Sequence, residues 1–303
     1  MEIKKVVIPC AGLGTRFLPL TKTIPKEMLP LLNKPAIQYI VEEALNSEID
    51  NFFIITGKGK ESIADHFDTC EALKLLLQEK NKSHLIINLE KIIKAARFSY
   101  IRQCEQLGLG HAISMAQHSI GKEYFAVMLP DDIIISKTPA LAQMLRVARQ
   151  EKACVIAIQE VPVQTVSSYG IISVKKQITP NLFQVGSLVE KPDPKNSPSN
   201  LAIIGRYILS SKIFASINEI QNNEGEIQLT DAIAHMIRSG EKVFAYKVQG
   251  VRYDIGTPIG WAKAVIGVAS QDPEAAPHIE KFISELNTLN SFLYDNSKTI
   301  EHS

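Results

Sequence analysis

Short apolar runs alternate with amphipathic segments through the first half of the chain. The runs are rich in β-branched and aromatic side chains, as strands are, and the longer segments repeat apolar positions at helical spacing. The predicted strands are residues 5–9, 52–56, 98–102 and 124–129. The predicted helices are residues 35–46, 61–80, 88–96 and 110–119. This order predicts an α/β fold whose mainly parallel sheet carries helices on both faces.

The second half has more strand-like segments and shorter links between them. Its predicted strands are residues 154–160, 170–174, 182–190, 201–209 and 243–248. Its predicted helices are residues 227–239, 258–269 and 273–289. We expect residues 1–270 to form one unit with two halves, 1–150 and 151–270. We expect residues 271–303 to add a C-terminal helix and a polar tail that frays from residue 296.

The composition excludes some classes of binding partner. The chain has 303 residues, 45% of them hydrophobic, and a net charge of +1, so it can bury a sizeable core but carries no broad basic footprint for nucleic acid. It contains no apolar run of about 20 residues, the length that a membrane span needs. We expect the N-terminal residues to lead into a strand and not to be a signal peptide, and the four cysteines are scattered. We expect a cytoplasmic protein with reduced thiols.

A glycine-rich loop follows the first predicted strand directly. Gly12 and Gly14 permit positive φ and let backbone N–H groups approach a ligand closely, while Arg16 and Lys26 add two positive charges. Amides and cations that converge in this way suit the oxygens of a polyphosphate. The alternative at this point is an ordinary strand-to-turn connection with surface charges.

Two familiar phosphate-binding loops are excluded. The dinucleotide fingerprint requires a third glycine where this chain has Phe17, and no acidic residue stands about 20 positions further on. A Walker A loop ends in Gly-Lys-Ser or Gly-Lys-Thr, whereas Gly14 is followed by Thr15 and Arg16.

Acidic residues near predicted strand ends are candidates for metal binding. Asp131 follows a predicted strand at the carboxyl edge of the sheet, and Asp254 is a second candidate. Mg²⁺ takes one or two carboxylates together with phosphate oxygens and water, although either Asp could instead cap a turn. Gln103, just past a strand, offers a donor and an acceptor that match the imide edge of uracil or thymine. A solvated loop glutamine is the alternative there.

A third group of candidates lies in the second half. Gly170 permits close approach to a sugar, Glu190 can accept from sugar hydroxyls, and Lys191 can pair with a phosphate. Gly205 is either another close-approach glycine or a bulge. Two anionic reactants that must be aligned need cations, amides and a divalent metal rather than a nucleophilic side chain, and these candidates supply that set.

The ordered motifs resemble those of sugar-1-phosphate nucleotidylyltransferases. The motifs lie between residues 3 and 270 and follow the family's order. They are the glycine-rich loop, residues 25–30, 107–112, 129–132, 189–192 and 225–231, and the segments around Tyr169, Gly205 and Asp254. Their finer details resemble the branch that transfers uridylyl groups from UTP to glucose 1-phosphate. The resemblance implies a Rossmann-like, glycosyltransferase-A-like mixed sheet with a smaller, β-rich sugar-binding part, Mg²⁺ as cofactor and a homodimer or homotetramer.

The same resemblance assigns roles by matched position. It places the nucleotide in residues 1–150 and the sugar phosphate in residues 151–270. The base and ribose would contact Ala11, Gly12, Gln103 and Gly108, and the loop through Gly14 would cradle phosphates. The triphosphate would meet Arg16 and Lys26, and the metal would bind Asp131, with Asp254 as a second ligand. The sugar site would contain Gly170, Glu190 and Gly205, with Lys191 on the phosphate.

Three alternatives are weighed against this assignment. A sister enzyme could use dTTP or another sugar phosphate, because one methyl group is discriminated weakly, by about 1–3 kcal/mol. A catalytically silent binding protein could share the scaffold, but it would not need to retain Arg16, Lys26, Asp131 and Lys191. A nicotinamide oxidoreductase is disfavoured by Phe17.

Overall fold

A computed structural model describes residues 1–220 and 225–295, with the side chains of residues 287–295 left out. The predicted frayed end, residues 296–303, lies outside the described residues.

Within that part of the chain, strands and helices alternate as far as β8 and mix more freely afterwards. The strands are β1 (Lys5–Pro9), β2 (Pro30–Leu31), β3 (Lys34–Pro35), β4 (Asn51–Thr56), β5 (Arg97–Arg102), β6 (Tyr124–Met128), β7 (Asp132–Ile135), β8 (Cys154–Glu160), β9 (Gly170–Thr179), β10 (Leu182–Glu190), β11 (Leu201–Ser210), β12 (Val243–Lys247) and β13 (Val251–Asp254). The α-helices are α1 (Ala36–Leu45), α2 (Glu61–Phe67), α3 (Glu71–Glu79), α4 (Ile87–Ala95), α5 (Leu109–Ser114), α6 (Gln117–Ile120), α7 (Ala140–Glu151), α8 (Lys212–Ile220), α9 (Leu229–Arg238), α10 (Pro258–Ala269) and α11 (Ala276–Asp295).

One mixed sheet of nine strands runs through both halves, in the order β5-β4-β1-β6-β11-β8-β12-β10-β9. The first four strands pair in parallel, whereas β11 is antiparallel to β6 and β8, and β10 is antiparallel to β12 and β9. The α/β class and the mixed sheet flanked by helices are therefore confirmed, with the parallel pairing concentrated in the N-terminal half.

Both faces of the sheet are covered, which explains the continuous apolar runs. Every residue of β11 is buried, and the core of β1 is closed to solvent. Two apolar clusters pack on opposite faces, one including Ile8 and Phe52 and the other including Val7 and Phe125. Side chains alternate across a strand, so neighbouring residues of one strand serve different clusters.

The candidate residues of the N-terminal half lie at the carboxyl ends of three parallel strands. The glycine-rich loop follows β1, Gln103 follows β5, and Asp131 lies just beyond β6. A separate two-stranded sheet pairs β7 with β13 and sets Asp132 opposite Asp254. The site at this edge is therefore assembled from loops that begin on rigid, buried strands.

Most predicted elements are confirmed, but two helices are broken. The predicted helix 61–80 is α2 and α3, interrupted over residues 68–70, and helix 110–119 is α5 and α6. The structure also contains β7, α7, α8 and β13, which the hydrophobic pattern did not single out. The strands β7 and β13 are four residues each, too short for a periodicity to develop.

Candidate active site

A cavity of about 310 Å³ opens at the carboxyl edge of the sheet. It brings together six sequence-predicted residues, namely Ala11, Gly12, Lys26, Gln103, Gly108 and Asp131. Their neighbours in the lining are Pro9, Glu27, Gln106, Leu109, Ala112, Leu129, Pro130 and Glu226. Residues as far apart in the chain as Pro9 and Glu226 thus face one space of a size suited to a small ligand.

The glycine-rich loop forms one wall of this cavity. Gly14 has φ +66°, and its carbonyl accepts hydrogen bonds from the backbone N–H of Phe17 and the hydroxyl of Thr21. Gly12 does not use positive φ, but a Cβ placed on it would meet no atom within 4 Å. Gly12 therefore leaves its backbone open to the cavity, whereas Gly14 shapes the turn and does not line the cavity.

Lys26 and Asp131 form an ion pair across the cavity. The ammonium Nζ lies 2.7 Å from Asp131 Oδ2, and the two side chains retain 21% and 29% of their exposure. Burial raises the pKa of the Asp131 carboxyl, but the charge and hydrogen bond of Lys26 outweigh it and hold that pKa below its usual value. Asp131 is therefore an ionised carboxylate at neutral pH.

A second ion pair lies beneath Lys26. Glu27 and Lys60 are both buried, with Nζ 2.6 Å from Glu27 Oε2. Burial raises the pKa of Glu27 although Lys60 opposes it. The pair ties the short turn that carries Lys26 to the residue preceding α2, and so fixes Lys26 from below.

Asp131, Asp254 and Arg16 converge on Gly256. A Cβ built on that glycine would lie 3.4 Å from Asp131 Oδ2, 3.0 Å from Asp254 Oδ1 and 3.5 Å from Arg16 Nη1. Gly256 also donates its N–H to Asp254 Oδ1 at 2.9 Å. The structure thus places both predicted metal carboxylates beside a predicted phosphate-binding arginine.

Arg252 links these carboxylates to the sugar-side candidates. Its guanidinium pairs with Asp132, approaches Asp254 Oδ2 at 3.4 Å and stands over the ring of Tyr169. Burial lowers the pKa of Arg252, but Asp132 and the hydroxyl of Tyr169 outweigh it, so that the pKa lies above its usual value. Arg252 is a fixed cation between the two groups of candidates.

The sugar-side candidates lie where β9 and β10 meet. Gly170 is opposite Glu190 in the ladder, and a Cβ on Gly170 would lie 3.1 Å from Glu190 Oε2. The hydroxyl of Thr230 donates to that oxygen at 2.7 Å. Lys191, with φ +46°, donates its N–H to the Tyr169 carbonyl, and its exposed ammonium lies 3.3 Å from Glu190 Oε1.

The atoms that lie close to Gly205 belong to the protein itself. A Cβ there would lie 2.7 Å from both Asp132 Oδ2 and the Cβ of Leu129. Its N–H donates to Asp132 Oδ2, and its carbonyl accepts from the N–H of Leu129 and from Arg206. Both backbone polar groups are used within the fold, so the structure gives Gly205 a packing role, and contact with a sugar stays a prediction.

Arg206 anchors the same segment from the interior. Its side chain is 0% exposed, pairs with Glu43 at 2.8 Å and donates to the carbonyls of Leu129 and Asp132. Because those carbonyls flank Asp131, the buried pair holds the segment in place from behind. Sequence reasoning missed this function, since the only local signal was a charged residue within an apolar strand.

The far end of the cavity contains two glutamines. The amide nitrogen of Gln103 lies 2.8 Å from Nδ1 of His111, and that of Gln106 donates to the Ala11 carbonyl at 2.9 Å. Gly108 has φ +100° and packs on the backbone of Ile227, whose N–H and carbonyl bond to Leu107 and Gly110. Ile227 therefore holds in place the loop of residues 107–110, which contains the predicted base-binding residue Gly108.

A family model described as Nucleotidyl transferase matches residues 5–270. The chain belongs to the nucleotidyl transferase family. A UTP--glucose-1-phosphate uridylyltransferase from Staphylococcus epidermidis is 47% identical over 287 residues, which cover 94% of this chain and 99% of that protein. One from Staphylococcus haemolyticus is 48% identical over 286 residues, with the same coverage.

Solved structures agree with this membership. A UTP-bound UGPase from Acinetobacter baumannii has a TM-score of 0.87 at 37% identity, covering 94% of this chain and all of that one. A UDP-glucose pyrophosphorylase complexed with UDP-glucose has a TM-score of 0.83 at 40% identity, covering 89% of this chain and all of that one. The uridylyltransferase resemblance is confirmed.

Two observations bear on cofactor and membrane. Within residues 1–220 and 225–295, no three or more His, Cys, Asp and Glu side chains form a group that could hold a metal ion. Mg²⁺ needs no such group, because it is usually held by one or two carboxylates together with substrate phosphates and water. No helix in the described part of the chain is long and apolar enough to cross a membrane.

Proposed function

We propose that this nucleotidyl transferase moves the uridylyl group of UTP to glucose 1-phosphate and releases UDP-glucose and pyrophosphate. One observation carries the proposal beyond family membership. The cavity beside Lys26 and Asp131 is linked through Arg252 to the group formed by Gly170 and Glu190. One ligand-sized cavity and the polar group of Gly170 and Glu190 therefore meet at a set of fixed charges, an arrangement that suits a two-substrate transfer.

The phosphates of both substrates would meet at the charged centre. The sugar phosphate is already largely ionised at neutral pH, so it can attack the α-phosphorus of UTP directly without a general base. Its oxygen forms the new P–O bond as the bond to the departing pyrophosphate breaks. Arg16 and Lys26 bind the triphosphate, and Lys191 holds the attacking phosphate in line.

The nucleoside end would occupy the far part of the cavity. Ala11, Gly12 and Gly108 present backbone to the base and ribose, and Gln103 faces the imide edge of uracil. Gly14 contributes through the shape of the loop. On the sugar side, Glu190 accepts from glucose hydroxyls over Gly170.

Asp131 and Asp254 fit Mg²⁺ as a cofactor. Their oxygens lie on one side of Gly256 next to Arg16, and Asp131 is ionised. Mg²⁺ bound there would neutralise negative charge on the phosphates during transfer. Lys26 occupies Asp131 Oδ2, so this lysine would turn to the triphosphate when the metal binds.

We also propose that residues 1–270 act as one catalytic unit. The nine-stranded sheet includes strands from both predicted halves, which favours this division over two separate domains. The assembly into a homodimer or homotetramer and the cytoplasmic location stay predictions.

A product assay tests the function. Purified protein with Mg²⁺ is given UTP, dTTP or CTP together with glucose 1-phosphate, galactose 1-phosphate or mannose 1-phosphate. We expect pyrophosphate and a nucleotide sugar to form fastest with UTP and glucose 1-phosphate. Equal or higher kcat/KM for dTTP would assign the chain to the thymidylyl sister class, and binding of UTP without any turnover would contradict the enzymatic proposal.

A further inference from the structure

The carboxylate of Glu190 has a partner on the neighbouring helix α9. The hydroxyl of Thr230 donates to Glu190 Oε2 at 2.7 Å. A carboxylate oxygen can only accept, so the hydroxyl is the donor in this contact. Thr230 is 8% exposed and Glu190 is half-buried, so the hydrogen bond is partly sheltered from competing water.

The two oxygens of this carboxylate have unequal partners. Oε2 accepts from Thr230, which is nearly buried, whereas Oε1 lies 3.3 Å from the ammonium of Lys191, whose side chain is 55% exposed. An exposed ion pair of this kind contributes little and is easily exchanged. Oε1 is therefore the oxygen that a ligand can take over, while Oε2 stays bound to the protein.

Gly170 provides the room for this contact. A Cβ built on Gly170 would lie 2.9 Å from Thr230 Oγ1 and 3.1 Å from Glu190 Oε2. Any other residue at this position would have to displace the hydroxyl or the carboxylate. The absence of a side chain on β9 thus allows Thr230 and Glu190 to meet.

The backbone that carries Thr230 is held in place. Leu229, the first residue of α9, is buried in the same apolar cluster as Leu188 of β10. Just before the helix, both backbone polar groups of Ile227 are hydrogen-bonded to the loop of residues 107–110. The hydroxyl of Thr230 is therefore presented to Glu190 from a fixed position.

We propose that Thr230 is a positioning residue that holds Oε2 of Glu190 and so leaves Oε1 in one orientation for a hydroxyl of a hexose 1-phosphate. This inference rests on the proposed function, because it takes Glu190 as the acceptor for the sugar. When Lys191 turns to the phosphate of the sugar, Oε1 loses its partner and the sugar hydroxyl replaces it. A carboxylate that is held at one oxygen favours a hydroxyl in one place over hydroxyls elsewhere on the ring.

The first test compares wild type with two variants of Thr230. Thr230→Val keeps the shape of the side chain and removes the hydroxyl, and Thr230→Ser keeps the hydroxyl. In Thr230→Val we expect kcat/KM for glucose 1-phosphate to fall about 10- to 100-fold, the range for a hydrogen bond to a charged group, mainly through a higher KM. The KM for UTP should not change, and Thr230→Ser should stay close to wild type.

Thr165→Val is the matched control. Thr165 is exposed, and its hydroxyl donates to the Pro162 carbonyl and not to Glu190. We expect both KM values of this variant to equal those of wild type.

The second test uses the monodeoxy analogues of glucose 1-phosphate, which report on single hydroxyl groups. In wild type, loss of the hydroxyl that Glu190 accepts should lower kcat/KM more than loss of any other. In Thr230→Val this penalty should shrink at that hydroxyl alone, because the carboxylate no longer meets it in a fixed orientation. In a Glu190→Ala background, Thr230→Val should cause no further loss, since Thr230 acts through Glu190.

The outcomes separate the role of Thr230 from the function on which it rests. Wild-type kinetics in Thr230→Val, equal losses for UTP and glucose 1-phosphate, or no recovery in Thr230→Ser would overturn the role of Thr230 while the uridylyl transfer stands. The same holds for unchanged deoxy penalties or a full further loss in the Glu190→Ala background. If Thr230→Val does not fold, Thr230→Ala replaces it, and equal kcat/KM in Thr230→Ala and Thr230→Ser refutes the inference. Absence of turnover with every hexose 1-phosphate in wild type contradicts the proposed function itself.

Discussion

The two ends of the site hold their charged groups differently. At the proposed nucleotide end, Lys26 and Asp131 lie 2.7 Å apart and keep less than a third of their exposure. At the proposed sugar end, Lys191 is 55% exposed and lies 3.3 Å from Glu190. The first pair is supported by buried ion pairs, whereas the second extends from a strand end into solvent.

This difference indicates two kinds of preorganisation. Charges that are buried and paired keep their positions before the substrate arrives, so little reorganisation remains for the reaction. An exposed lysine gains little from its ion pair and pays in side-chain entropy to hold one geometry. We infer that the proposed nucleotide end is set in advance except for the Lys26 ammonium, which turns to the triphosphate, and that Lys191 becomes ordered when it binds the sugar phosphate.

The largest expected effect is a loss of stability when Arg206, which holds the segment carrying Asp131, is replaced. Arg206→Met leaves Glu43 buried without its charge partner, and we expect about 3–5 kcal/mol lower free energy of unfolding. Chemical denaturation measures it. The matched control is Arg149→Met, because Arg149 is exposed and 3.9 Å from Glu48, and it should change stability by about 0–1 kcal/mol. Similar losses in both variants would contradict the buried role of Arg206.

That role marks the limit of prediction from sequence. The ends of the strands before Asp131 and Gln103 could be located from the sequence. An apolar run that stops at polar residues has few interpretations other than a buried strand that ends there. The pairing of Arg206 with Glu43 depends on how β11 and α1 pack, 163 residues apart in the chain. No local pattern carries that information, because a single charge within an apolar strand suits a bulge as well as a buried pair.

Other missed residues have the same cause. Arg252 is two positions from Asp254 on one strand, so both face the same side, and that spacing was the available signal. Its partner Asp132 lies across the β7–β13 pair, which is too short to predict. Gly205 is predicted to be either a close-approach glycine or a bulge, and in the structure the atoms that approach it belong to Leu129 and Asp132; its contact with a sugar stays a prediction. A glycine indicates close approach without naming what approaches.

The next largest effect is expected when the negative charge of Asp131 is removed. Asp131→Asn keeps the shape of the side chain and removes the carboxylate that pairs with Lys26. We expect kcat to fall about 10²- to 10³-fold with the fold retained, measured by pyrophosphate release across a Mg²⁺ titration. Asp65→Asn, an exposed change on α2, should leave kcat unchanged. Full activity in Asp131→Asn would move the metal site elsewhere.

Lys191→Ala tests the adaptable end. Without the ammonium we expect kcat/KM for glucose 1-phosphate to fall about 10- to 100-fold, as loss of one charge-assisted contact predicts, while binding of UTP changes little. Steady-state kinetics with each substrate varied gives the split. Lys195→Ala removes a nearby exposed lysine and serves as the control. An equal loss for both substrates would remove the distinction between the two ends.

Arg252→Lys examines the connection between the ends. A lysine can keep one contact with Asp132 but not the stacking over Tyr169 or the approach to Asp254. We expect about a 10-fold loss in kcat with the KM values of both substrates raised, because the link serves both. The measurement is the same two-substrate kinetics. If only one KM changes, Arg252 belongs to that end alone.

The smallest effect is a difference in pH dependence between two neighbouring carboxyls. The pKa of Asp131 is lowered by Lys26 against burial, so its stabilising contribution is present above its unfolded pKa of about 3.9 and is lost as the pH falls through the folded value. Burial raises the pKa of Glu27 above its usual value, so stability falls as the pH rises from about 4.3 through the folded pKa.

Opposite slopes should therefore separate the two variants. Relative to wild type, Asp131→Asn should lose less stability on acidification below about pH 4, and Glu27→Gln should gain in relative stability as the pH rises from about 4. Urea midpoints measured from pH 3 to 7 give both curves. Glu27→Gln also leaves Lys60 without its anion, so its absolute stability drops and only the slope is compared. Curves parallel to wild type in both variants would mean that neither carboxyl titrates as its surroundings require.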